Sequence, residues 1–282
     1  MIDVVLYIIA AITLLIGSYT DFKKREVPDW ASYSLIISAL GIRLLYSLFT
    51  RNASFIIDGI AGFILLFAIA NLLYYLRQWG GGDAKISMGI GAVLGLSIFD
   101  KISYFNLIWF FFLLIFIGAV YGLCFSFYLA SRNWNRFKRF LVVDIKDFKY
   151  LGIFFSLFLI VSLGTYLIQQ SPLSFLLFGV SIILLIGIFS FVFVKSVEES
   201  CLIQRLKAKQ LTEGDWVLET IKIKGKTIVS ENNLGITKQQ INKLKSYNKL
   251  ITVKAGIPFI PVFFLSFIAF ILTQNWLYSA LY

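Results

Sequence analysis

Eight apolar stretches dominate this chain, at residues 4–19, about 31–49, about 56–76, 84 to about 99, within 102–129, 151–168, 172–194 and about 257–281. A helix needs about 20 apolar residues to cross a bilayer core. In hydrocarbon, every backbone N–H and C=O of a lipid-facing segment must be satisfied within the protein. The runs therefore predict an α-helical polytopic membrane protein with about eight transmembrane helices. Composition agrees, because 59% of the 282 residues are hydrophobic, against roughly 45–50% in a soluble domain. The fourth run, taken alone, is short enough to be re-entrant.

The first run has only Asp3 before it and Lys23, Lys24 and Arg25 after it, the reverse of a cleaved signal peptide. Eight crossings with the first terminus outside would put 23 of the 26 Lys and Arg residues on the inner side. Only Arg43, Arg51 and Lys101 remain embedded or outside, and Arg43 is placed where a long side chain can snorkel to the headgroups. Without the long polar insert the count is still eleven against three, as the positive-inside rule requires. The net charge of +11 thus reads as a cytoplasmic membrane face and not as a nucleic-acid surface. The stretch carrying Arg132, Arg136, Lys138, Arg139, Lys146 and Lys149 among Phe137, Phe140, Leu141 and Val142 reads as an interfacial or cytoplasmic connection.

Three parts follow: a membrane core at 1–194, a soluble cytoplasmic insert at 195–254 and a last transmembrane helix at 255–282. The insert is too polar to cross a bilayer. Trp216, Val217, Ile221, Ile223 and Ile228 alternate with polar residues around Gly225, which predicts a hairpin. Thr237 and Gln240 fit a capping box for a short helix, and residues 250–253 fit a strand, so the insert is expected to be a small α+β domain.

The chain has no histidine, and its two cysteines, Cys124 and Cys201, are far apart. That removes Ser-His triads, HExxH zinc sites, CxxC pairs and a disulfide framework. Neither a metal nor a cofactor is expected, and acid–base chemistry falls to carboxylates, Lys, Tyr or Cys.

Two carboxylates stand out. Asp21 ends the first run, and Asp83 opens the fourth within Trp79-Gly80-Gly81-Gly82-Asp83-Ala84-Lys85. Both meet the inner membrane boundary. Acids at membrane helix ends are most often interfacial caps or ion-pair partners, the expectation for Asp3, Asp58, Asp100, Asp144 and Asp147, with Asp29 a helix cap beside Pro28. A shared depth and a glycine run lift Asp21 and Asp83 above that background. Two close carboxylates share a proton, so that one can act as general base on water and the other as general acid. Gly80 to Gly82 are free to adopt positive φ and to let a substrate backbone approach. Lys85 is placed to hold a carboxylate or to meet lipid phosphate.

Gly80-Gly81-Gly82-Asp83 with Lys85 forms a GxGDxK pattern, and Asp21 with its basic segment and Pro28 resembles the first-aspartate region of type IV prepilin peptidases. The resemblance is to their archaeal branch, the prepilin and preflagellin (prearchaellin) peptidases. It extends to Gly214-Asp215-Trp216, Leu234-Gly235-Ile236-Thr237 and Gly256-Ile257-Pro258-Phe259-Ile260-Pro261. It implies a membrane aspartic endopeptidase with Asp21 and Asp83 as catalytic pair, supported by Gly80, Gly82 and Lys85. It also implies pilin-like or archaellin precursors as partners, besides membrane lipid, with short basic leaders cut on the cytoplasmic side of the cell membrane. Acids such as Glu26 or Asp29 are candidates to attract a basic leader. Without CxxC pairs, no methyltransferase activity is expected. Presenilin-like proteases share GxGD but pair it with YD and PAL, whereas here Tyr19-Thr20-Asp21 stands and no PAL occurs. The alternative is a proton-coupled carrier using the same acids, which would require an inverted repeat and acids near the midplane.

Overall fold

The computed structural model describes residues 2–97, 101–223, 225–230, 233, 235–244 and 250–281, without the side chains of 101, 102 and 276–281. Asp100, Leu234 and the Lys101 side chain, all named above, lie outside that description. Eight long helices match the eight apolar runs: α1 (Ile2–Lys24), α2 (Asp29–Thr50), α3 (Ser54–Tyr75), α4 (Gly81–Leu94), α5 (Lys101–Arg132), α7 (Lys149–Gln169), α8 (Pro172–Val197) and α10 (Ile260–Leu281). Among the described residues, six helices are long and apolar enough to cross a membrane. The chain is a polytopic α-helical membrane protein. The two helices outside the six are α4, at 14 residues, and α10, whose described apolar part is Ile260–Asn275.

The basic connection after α5 is itself a helix, α6 (Trp134–Asp147). A π-helical turn, Glu198–Leu202, and a short strand β1 (Ile203–Leu206) follow α8. In the insert the hairpin around Gly225 forms as β3 (Ile221–Ile223) and β4 (Lys226–Val229), with Gly225 at φ +77°. The strand β2 (Trp216–Val217) does not join that hairpin. It pairs antiparallel with β5 (Ile251–Lys254), Val217 opposite Val253. Helix α9 (Lys238–Leu244) carries the expected capping box, since the Thr237 N–H donates to Gln240 Oε1 at 2.9 Å and the Gln240 N–H donates to Thr237 Oγ1 at 3.3 Å. Ile221, Val229, Ile236, Leu244, Ile251 and Val253 close a small apolar core beneath these elements. On its exposed surface the Lys238 ammonium, 2.9 Å away, holds the Glu213 carboxyl below its usual range, a pair worth little to stability at this exposure.

The chain divides into two compact units, Met1–Gly122 with Leu206–Tyr282, and Leu123–Arg205. In the first, the membrane core is built from Leu6, Ala10 and Leu14 of α1, Leu35 and Ala39 of α2, and Ile86 and Ile90 of α4. Phe110 and Leu114 of α5 and Phe263, Phe267 and Phe270 of α10 complete it. In the second, α6 packs on α8, and α7 and α8 form a hairpin whose buried Ser162 and Ser181 hydroxyls bond at 2.7 Å.

Gly91 and Gly95 of the fourth run form a GxxxG pattern, which lets another helix approach closely. A Cβ on Gly91 would run into the Gly62 carbonyl of α3 and lie 2.9 Å from Leu66 Cβ, while one on Gly62 would lie 2.9 Å from Gly95 Cα. Backbone touches backbone here, so van der Waals contact replaces the hydrophobic drive that lipid cannot supply. Gly91→Ala is expected to force α3 and α4 apart at a cost of about 1–3 kcal/mol. A fall in the thermal unfolding midpoint of the detergent-solubilised protein reads this out, and an unchanged midpoint would contradict the packing.

Candidate active site

Asp21 sits in the last turn of α1, 7% exposed. Its Oδ2 accepts the N–H of Ile260, the first residue of α10, at 3.0 Å. The first N–H groups of a helix have no partner inside it, and Pro261 has none to offer. The carboxylate of α1 therefore caps α10 from outside, at the positive end of that helix dipole. The Phe259 N–H and the Arg25 guanidinium also bear on Asp21.

Asp83 lies in the first turn of α4 and is half-buried. Its Oδ2 reaches back to accept the Gly80 N–H at 2.9 Å, the acidic half of a capping box. The helix opens at Gly81, three residues earlier than the apolar pattern suggests, because Gly80 at φ −75° and ψ 165° serves as its cap. None of Gly80, Gly81 and Gly82 adopts positive φ. Glycine is needed at 82 for a different reason. A Cβ there would lie 2.9 Å from Val27 Cγ2, so the Val27 side chain, in the loop after α1, wedges against the start of α4. Gly17 of α1 plays the matching part, since its Cβ would lie 3.2 Å from Ile260 Cγ2 and 3.9 Å from Val27 Cγ1. Val27 and Ile260 thus fill the space between the end of α1 and the starts of α4 and α10. Trp79, before the glycines, stacks edge-on against Phe263 at 5.4 Å and ties the run to α10.

The structure brings Asp21 and Asp83 together, sixty-two residues apart in sequence, near enough that the charge of Asp21 acts on Asp83. Tyr121 of α5 lies within reach of the same charge. Lys85 goes elsewhere: its Nζ pairs with Asp29 Oδ1 at 2.5 Å and lies 5.3 Å from the centre of the Tyr33 ring. It holds a carboxylate of α2, and joins the starts of α2 and α4. Asp29 is an ion-pair partner in the first turn of α2, which has no side-chain cap. Gly80 contributes through its backbone N–H and Gly82 through the absence of a side chain. Among the described residues no three Cys, Asp or Glu side chains gather as a metal site would need. Sequence patterns did not point to Val27, Tyr121 or the Ile260 N–H as parts of this site. The one available signal was the Pro258-Phe259-Ile260-Pro261 stretch, whose two prolines force an open helix start.

Arg43 departs from the snorkelling expectation. It is 5% exposed, and its guanidinium donates to the carbonyls of Ala92 at 2.8 Å, Val93 at 2.7 Å and Phe55 at 3.1 Å. Helix α4 ends at Gly95, at φ +70°. At 1.5 Å per residue it is about 21 Å long, short of the roughly 30 Å hydrocarbon core. Its last carbonyls need donors inside the protein, and Arg43 supplies them.

Residues 8–123 match the type IV leader peptidase family, a stretch that contains Asp21, the glycine run and Asp83. Among known proteins, the preflagellin peptidase of Methanocaldococcus jannaschii is 36% identical over 88 residues, 31% of this chain and 37% of that one. The preflagellin peptidase of Methanococcus maripaludis is 33% identical over 88 residues, 31% of this chain and 38% of the relative. That of Methanococcus voltae is 32% identical over 134 residues, 45% of this chain and 57% of the relative. The aligned parts thus span between 37% and 57% of these relatives. Two acids at the ends of α1 and α4, in this order and within the matched stretch, agree with that likeness: residues 8–123 are similar to the type IV leader peptidase family, and parts of the chain to archaeal preflagellin peptidases.

Proposed function

We propose that this protein is a membrane aspartic endopeptidase that removes short basic leader peptides from pilin-like or archaellin precursors, using Asp21 and Asp83 as its catalytic pair at the cytoplasmic membrane face. The observation that carries the reading is the placement of the two carboxylates, one at the end of α1 and the other at the start of α4, near enough for the charge of Asp21 to bear on Asp83. In this reading the two carboxyl groups share a proton. One takes a proton from water as the water attacks the scissile carbonyl, and the other donates its proton to the carbonyl oxygen; the roles reverse as the amine leaves. The titration belongs to the pair and not to either residue.

The remaining residues serve this pair. The Ile260 N–H fixes the Asp21 carboxyl and the Gly80 N–H fixes that of Asp83, so both face the reaction preorganised. The Lys85–Asp29 pair keeps the starts of α2 and α4 in register. Glu26, exposed in the loop between Asp21 and α2, is the acid assigned to attract a basic leader, since Asp29 is already neutralised by Lys85. The excess of Lys and Arg beside the ends of α1 and α4 supports an inner position for the site under the positive-inside rule.

The test is co-expression with candidate precursors in membranes, followed by mass spectrometry of the precursor N-terminus. A single new terminus just before the precursor's hydrophobic helix is the expected product. Precursors that stay intact beside folded, inserted enzyme would overturn the proposal.

A further inference from the structure

We propose that α6 is a binding surface for anionic phospholipid, with the headgroup phosphate held by Lys138 and Arg139 and supported by Lys146. This concerns the second unit alone and is independent of the peptidase reading. Helix α6 is joined to α5 through Asn133 and to α7 through Phe148, one residue at each end. A helix tethered so tightly between two membrane spans lies along the membrane–water boundary.

The rotation of α6 about its axis is fixed from the inner side. Phe137, 2% exposed, packs with Ala130, Val197 and Cys201. Asp144, also 2% exposed, accepts from the Ser196 hydroxyl at 2.6 Å and pairs with Lys195 at 2.8 Å. Lys195 is further held by Glu199 at 3.7 Å and lies 4.9 Å from the centre of the Phe148 ring. The charge of Asp147, itself exposed, also falls on Lys195.

The outer side is left with cations and apolar side chains. Trp134, Val142, Val143 and Ile145 are exposed among these cations, and Trp134 and Ile145 share one edge that can sink into the acyl boundary. Asn135, Lys138, Arg139 and Val142, spaced as one stripe of a helix, line an open groove of about 550 Å³. Arg136 donates at 3.5 Å to the Ile203 carbonyl and Arg132 at 3.3 Å to the Tyr128 hydroxyl, so those two have protein partners. Lys138, Arg139 and Lys146 have none among the described residues. Three unpaired cations beside an apolar edge at a membrane surface fit a phosphodiester headgroup above acyl chains. An acidic peptide would match the charges but would leave Trp134, Val142 and Ile145 without a counterpart.

The test uses the full-length protein in neutral detergent, titrated with phosphatidylglycerol or with phosphatidylcholine and followed by native mass spectrometry. Wild type is expected to bind phosphatidylglycerol in preference, and the preference should weaken at high salt. Lys138→Gln/Arg139→Gln/Lys146→Gln should lose about a hundredfold in phosphatidylglycerol affinity, at roughly fivefold per charge, with phosphatidylcholine binding unchanged. Lys138→Arg/Arg139→Lys/Lys146→Arg should keep the preference. Equal binding of both lipids by wild type would overturn the proposal. So would a glutamine variant that keeps its phosphatidylglycerol preference, or binding of a polyglutamate peptide in place of the lipid.

Discussion

Asp21→Asn and Asp83→Asn are each expected to reduce precursor cleavage by at least about a thousandfold while leaving the protein inserted and folded. The argument rests on what asparagine keeps and what it loses. In the native fold each aspartate accepts a backbone N–H through Oδ2, from Ile260 and from Gly80. An asparagine side-chain oxygen can accept the same hydrogen bond in the same volume, so both helix starts stay capped and the core around Val27 is undisturbed. What the proposed mechanism would lose is its shared proton, because an amide neither ionises nor relays a proton between water and a carbonyl oxygen. The two losses should not add: with the proposed pair acting as a unit, the double variant should be about as inactive as either single one. Cleavage is followed by the mobility shift of a co-expressed precursor and by its N-terminal mass. Folding is followed by thermal unfolding in detergent, where each variant should stay within about 1 kcal/mol of wild type. Substantial processing by either variant would remove that residue from the catalytic pair.

Apolar run length and the distribution of Lys and Arg were enough to read eight helices, and to predict that Asp21 and Asp83 share one membrane face. The structure brings those two residues together. The parts of the site that escaped the sequence are of two kinds. Backbone donors such as the Ile260 N–H carry no side-chain signature, and only the flanking prolines hinted at an open helix start. Close approaches such as Val27 against Gly82 depend on which helices become neighbours, which periodicity does not encode. The glycine run shows the limit well. Its residue type was legible as a need for space, but the reason assigned was backbone freedom, whereas the structure uses Gly82 for contact and Gly80 for its N–H. In the insert, the hairpin and the capped helix were local and therefore readable. The pairing of Trp216–Val217 with Ile251–Lys254 is non-local, and the alternation of both segments was equally consistent with other partners.

Arg43 is the residue whose reading changed most, and its removal is expected to have the largest effect on stability. A single Arg among apolar residues in a membrane helix has two solutions: reach the headgroups, or find acceptors inside. The sequence does not choose between them, because the acceptors belong to α4 and α3. The choice is made by the shortness of α4, which stops at Gly95 with carbonyls that would otherwise face a dry interior. The guanidinium bonds two of them, Ala92 and Val93, and also the Phe55 carbonyl in the first turn of α3. It also sits at the negative end of the α4 dipole, and the charges of Asp3 and Asp58 bear on it. Replacing a buried charge by an apolar side chain is close to neutral when its partners leave with it. Here they stay. Arg43→Met would strand the Ala92 and Val93 carbonyls at the end of α4 and remove the bond to the Phe55 carbonyl of α3. Hydrogen bonds between membrane helices average only about 0.6 kcal/mol, which would limit the loss to about 2 kcal/mol if bond energy were the whole effect. Orphaned polar groups cost about 1–3 kcal/mol each, which brings the expected destabilisation to about 3 kcal/mol or more. Arg43→Lys, which keeps the charge but can serve fewer carbonyls, should fall about halfway. Thermal unfolding in detergent separates the three proteins, and a methionine variant as stable as wild type would show that α4 does not depend on Arg43 for its end. Because Asp83 lies at the opposite end of the same helix, the surviving folded fraction of Arg43→Met should still cleave precursor, with a loss far smaller than that of Asp83→Asn.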